Sequence, residues 1–135
     1  MSMCTAPTLP EVFEFYIGGS AGPSFYVRLV DGRLLYEWAS GGGYSGVVME
    51  ASPTPEEWAR FLETTDRLGV WEWEQEYVSA HSCCDVTYWH LRLEIDGHRV
   101  TARGANAYPG SQGAEISKEF LTFRAAVKRL LGRDP

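Results

Sequence analysis

No apolar run in this 135-residue chain approaches the roughly 18 residues that a membrane-spanning helix needs, so no helical span is expected. The start, Met1-Ser2-Met3-Cys4, carries neither the basic residues nor the apolar stretch of a secretory signal. Cysteine is scarce and odd in number, three in all with two adjacent, which argues against a disulfide framework and for a reducing, cytoplasmic setting. Basic residues are sparse in the first part. Residues 1–76 carry a net −8 and residues 77–135 a net +2, with eight carboxylates between Glu50 and Glu76 against Arg60 and Arg67. Such a field repels phosphate backbones and attracts basic surfaces, so nucleic acid is an unfavourable partner and a basic protein a favourable one. The same charges also serve to solvate an exposed helix.

The strand signals come first. Val12–Ile17, Phe25–Val30, Arg33–Trp38 and about Ser45–Glu50 are rich in aromatic and β-branched residues. Asp31-Gly32 is the only gap between the second and third, a two-residue hairpin turn that needs positive φ at both positions. A helix then opens with Thr54 as cap, Pro55 at its first position and Glu57 three residues after the cap. Its apolar face runs Trp58, Phe61, Leu62, Thr65 and Leu68, and Gly69 is placed to end it. Val70-Trp71-Glu72-Trp73-Glu74 alternates apolar and acidic residues, which predicts a strand. Val86–Ile95 follows with Thr87, Trp89, Leu91, Leu93 and Ile95 toward the core, then Asp96-Gly97 as a second tight turn into His98–Arg103. A last helix spans about Ser117 to Leu131, with Phe120, Phe123, Val127, Leu130 and Leu131 as its buried stripe and Gly132 as its stop. Consecutive hairpins and two amphipathic helices predict one α+β domain over residues 11–135: an antiparallel sheet of about six strands with both helices on one face, behind a loose leader at residues 1–10.

Chemistry is harder to find. His81, Cys83 and Cys84, with His90 and His98 downstream, invite a zinc reading. Adjacent cysteines present both sulfurs to one ion poorly, however, and the CxxC spacing is missing. His81, Cys83 or Cys84, and Asp85 supply the residue types of a thiol nucleophile and its base, yet all sit in one short loop, whereas catalytic partners converge from separate elements. The pair Cys83-Cys84 also has the makings of a strained redox disulfide. Glu72, Glu74 and Glu76 alternate with the tryptophans, and a carboxylate pair among them suits acid–base hydrolysis only if it leaves the solvent face. Gly41-Gly42-Gly43 is followed by a strand pattern, whereas a phosphate loop feeds a helix N-terminus. The basic residues Arg124, Lys128, Arg129 and Arg133 are accounted for by the dipole of the last helix. No cofactor motif, catalytic set or metal set is therefore assigned.

The run Trp58…Phe61…Leu68-Gly69-Val70-Trp71-Glu72-Trp73…Tyr77, followed by Trp89, Gly104 and Asn106-Ala107-Tyr108-Pro109, resembles a group of small uncharacterised bacterial proteins. In that group a WxxF…LGVWxW…Y block precedes a GxNAYP loop. The resemblance covers about residues 55–131 and implies a bacterial single-domain protein without an established activity. His81–Asp85 departs from the group's pattern, which more often reads Asp-Gly before the strand.

The functional expectation is a non-enzymatic cytoplasmic binding protein, of inhibitor or immunity type, offering an acidic, aromatic surface to a basic protein. Its candidate residues are Trp71, Glu72, Trp73, Glu74 and Glu76, with Asn106 and Tyr108 from the structured loop after the last strand. The alternative is a small enzyme or metal-dependent protein built on the His81–Asp85 or Asn106–Tyr108 loop. Oligomeric state is left open.

Overall fold

The computed structural model describes residues 9–19, 24–39, 47–78, 87–110 and 116–132. The expected leader up to residue 8, the Gly41–Gly43 loop, the His81–Asp85 segment and Val86 lie outside the described residues. The elements are β1 (Val12–Gly19), β2 (Ser24–Val30), β3 (Arg33–Ala39), β4 (Val47–Ala51), α1 (Pro55–Leu68), a 3₁₀ turn at Val70–Glu72, β5 (Glu76–Val78), β6 (Thr87–Ile95), β7 (His98–Ala105) and α2 (Lys118–Leu130). This is the expected α+β class, with one seven-stranded sheet in the order β4-β3-β2-β1-β6-β7-β5. Every pairing is antiparallel except that of β5 with β7, which is parallel.

Both two-residue turns form as their sequences require. Asp31 and Gly32 have φ of 53° and 78°, and Asp96 and Gly97 have 49° and 84°, the left-handed values of a type I′ turn. They fix the registers Val30↔Arg33 and Ile95↔His98, and with them which side chains face inward. Strand β1 is central, held by β2 on one side and β6 on the other. Register continues one residue ahead of it: the Glu11 N–H donates to the Glu94 carbonyl (2.8 Å), and Pro10 is buried.

The core is aromatic. On β1, Phe13 packs edge-on against Trp58 and Phe61 of α1, and Phe15 meets Phe120 and Phe123 of α2. Phe61 and Phe123 then touch across the two helices. Among the described residues, therefore, one sheet face is covered by both helices and the other is left open. The α1 cap is a complete capping box: the Glu57 N–H donates to Thr54 Oγ1 (3.1 Å), and the Thr54 N–H donates to Glu57 Oε1 (2.8 Å). Thr64 and Thr65 are buried on α1 because their hydroxyls donate back to the carbonyls of Arg60 and Phe61.

One element departs from expectation. Val70–Glu72 is a 3₁₀ turn, and the extra strand lies further on at Glu76–Val78. The cause is Gly69. At φ 71° it caps α1 and reverses the chain, and its carbonyl accepts from Glu72 while that of Val70 accepts from Trp73 (3.0 Å each). Val70 is consequently fully buried, and Trp73, three residues on, is half-buried against the core. The apolar–acidic alternation thus marks a tight turn rather than a pleat.

Candidate functional site

The chain reversal at Gly69 sets the first candidate surface. It brings Trp71 back beside the last turn of α1, where its Nε1–H donates to Asp66 Oδ1 (2.7 Å). On its other side the indole leans on the His98 ring at 5.5 Å between centroids and 48° between planes. Around it lies an open hollow of about 330 Å³ lined by Ala59, Leu62, Asp66, Trp71, Ile95, Asp96 and His98. Its two carboxylates, Asp66 and Asp96, are exposed, and Leu62 is half-buried beside them. An aromatic face between carboxylates, on an aliphatic floor, is the chemistry that receives a guanidinium or ammonium group.

Much of the surrounding acid lies outside the ion pairs of the described residues. Among the described residues, the ion pairs are Arg28–Glu37, Arg33–Glu50, Arg92 with Glu14 and Glu94, and Arg103–Glu76. Glu56, Glu63, Asp66, Glu72 and Glu74 are exposed and belong to none of them.

The residues expected to form one site are not brought together. Trp71 lines the hollow, with Glu72 beside it in the chain and exposed. Trp73 does not share a face with Trp71, as a strand would have required; its ring lies against Trp89, Phe120 and Phe123. Glu74 is exposed, and its N–H donates to Tyr77 Oη (2.8 Å). Glu76 sits on β5, 3.4 Å from Arg103.

Asn106 and Tyr108 hold their own loop. Asn106, at φ 51°, exchanges two hydrogen bonds with Thr87: its N–H donates to the Thr87 carbonyl, and its Oδ1 accepts from the Thr87 N–H, both at 2.9 Å. Tyr108 is 4% exposed, stacked on Trp89 and tilted against Phe120. Burial pushes its phenol above the usual range, against a Thr87 hydrogen bond and the charge of Arg124. The two histidines invoked for zinc part company as well. His90 lies on the open face of the sheet, while His98 lies beside Trp71 on the helix side.

Sequence reasoning missed a second concavity, on the open face, of about 430 Å³. It is lined by Tyr16, Glu76, Tyr77, Tyr88, Trp89, His90, Arg103, Gly104 and Ala105. Tyr16 stacks on His90 at 5.5 Å and 20°, and Tyr26 approaches both rings edge-on. Burial holds the His90 pKa below the usual histidine value, partly offset by Glu14. The available signal was aromatic residues at strand positions whose alternation points away from the core.

Among the described residues, no helix is long and apolar enough to cross a membrane. Neither a scan against protein-family models nor a search of curated proteins finds a match to this chain.

Proposed function

We propose that the chain is a binding protein of the bacterial cytoplasm, of inhibitor or immunity type, that engages a basic protein through the surface around Trp71. The observation that carries this reading is the hollow itself, which Trp71, Asp66 and Asp96 line together, with carboxylates on the flanking α1 and 3₁₀ segments that lie outside the ion pairs of the described residues. An arginine or lysine side chain of the partner enters the hollow. Its methylene stem lies on Leu62 and Ile95, its cationic head meets Trp71, and the two aspartates neutralise its charge. Glu63, Glu72 and Glu74 act at longer range, raising the encounter rate with a basic surface more than the final affinity. The odd cysteine count and the resemblance to small bacterial proteins support the compartment and the source.

The test is affinity capture of the tagged chain from native lysate at low and high salt, repeated with two variants. Trp71→Ala removes the anchor. Glu72→Lys with Glu74→Lys reverses charge at exposed positions, where folding is unaffected. Loss of a stoichiometric basic partner by about 2 kcal/mol, some thirtyfold in Kd, is expected for Trp71→Ala. Charge reversal is expected to slow association and flatten its salt dependence. A partner that binds both variants like the unaltered chain sinks the proposal.

A further inference from the structure

The open face of the sheet carries a single row of side chains across five strands. Tyr26, Tyr16, His90, Arg103 and Glu76 are successive cross-strand neighbours on β2, β1, β6, β7 and β5. In the adjacent row Tyr88 stands between Gly18 and Ala105. Ala105 leaves room beside Tyr88 in the 430 Å³ hollow, whereas the space over Gly18 is taken by the Tyr16 ring and Ser24. Among the described residues no helix covers this face, so the rings there fill no helix–sheet interface.

The walls restrict what fits. Tyr88 is 51% exposed, a large ring left in water. The Tyr16–His90 stack offers a flat π-surface at the hollow's edge. At the rim, Arg103 and Glu76 meet through one 3.4 Å contact, with side chains 69% and 56% exposed. An ion pair that open contributes little and can be rearranged at little cost. It presents donors and acceptors side by side, and the charges of the lining cancel. The cation at the rim, Arg103, is matched by Glu76, and the chain as a whole is at −6, which disfavours a polyanion.

We propose that this hollow binds an uncharged, planar heteroaromatic ring of nucleobase type, as a free nucleoside-sized molecule with a donor and an acceptor adjacent on one edge. The ring stacks on Tyr88 or on the outer side of the Tyr16–His90 pair, and its edge is read by Arg103 and Glu76. Burial favours the neutral imidazole of His90, consistent with an uncharged ligand. This site is on the opposite sheet face from the Trp71 hollow and stands or falls separately from it.

The experiment is an NMR shift titration of the full chain with adenosine, guanosine, cytidine and uridine, alongside ribose, benzoate, the 5′-monophosphates and a short single-stranded oligonucleotide. At least one nucleoside should give saturable shifts centred on Tyr88, His90 and Arg103. Tyr88→Ala and Arg103→Ala, both at exposed positions, should each weaken it roughly tenfold, the usual effect of losing a base-stacking ring. Tyr88→Phe keeps the ring and should keep binding. The proposal is overturned by the absence of saturable shifts with every nucleoside, or by binding that ignores both alanine variants. Equal shifts with ribose or benzoate alone also overturn it, as does binding more than tenfold tighter for a monophosphate or oligonucleotide.

Discussion

The indole N–H of Trp89 donates to the carbonyl of Ala107 at 2.8 Å, and the bond passes directly over Gly104. A Cβ at Gly104 would overlap both the Trp89 Nε1 and the Ala107 oxygen. Gly104→Ala should therefore destabilise the fold by roughly 1–3 kcal/mol, the usual cost of overpacking. Chemical denaturation measures it directly; a change under about 0.5 kcal/mol, the range of ordinary surface substitutions, would mean that the loop is not tied down in this way.

Trp58 and Trp89 make a matched pair with opposite hydrogen bonding. Both are essentially fully buried, but the Trp58 Nε1–H has no partner among the described residues. Trp58→Phe removes a stranded donor along with some packing, while Trp89→Phe strands the Ala107 carbonyl. Trp89→Phe should thus cost more than Trp58→Phe, by about 1–2 kcal/mol. Equal losses in denaturant titrations of the two variants would contradict the assignment.

The lowered pKa of His90 gives stability a pH dependence of definite sign. Burial against Tyr16 and Tyr26 favours the neutral ring, Glu14 partly opposes this, and Arg103 is its cross-strand neighbour. The unfolded chain then binds the proton more readily than the folded one. The His90 contribution is fully present above the unfolded value of about 6.5 and is lost as pH falls through the folded value below it. His90→Gln should flatten the stability profile on the acid side of neutrality relative to the unaltered chain. Profiles that run parallel down to acid pH would remove His90 as the cause.

Much of the fold was legible because its signals are local. Asp31-Gly32, Asp96-Gly97 and the Thr54–Glu57 box each decide their own geometry within four residues, and all formed. Val70–Glu74 misled because alternation has two meanings. After a left-handed Gly69, a 3₁₀ turn also sends residues three apart inward, so Val70 and Trp73 are drawn to the core while Trp71 is left beside Asp66. Trp71 was found as a candidate from its acidic neighbours, but its companions Asp96 and His98 arrive from a distant hairpin. The Tyr16–His90 row was illegible for the same reason. It exists only because β1 pairs with β6, and nothing near either strand announces that choice.

The central position of β1 has a consequence for how the chain is made. Strands β1 to β4 pair with their immediate neighbours in sequence, so this meander can assemble as it leaves the ribosome. The other edge of β1 waits for β6, with Val12 opposite Glu94. During that interval Phe15 lacks its cover from Phe120 and Phe123 of α2, and one whole edge of backbone donors and acceptors lies bare in water. Late, non-local closure of this kind slows folding and exposes a sticky intermediate, so the nascent chain is most vulnerable to misassociation in the window between synthesis of its first and sixth strands.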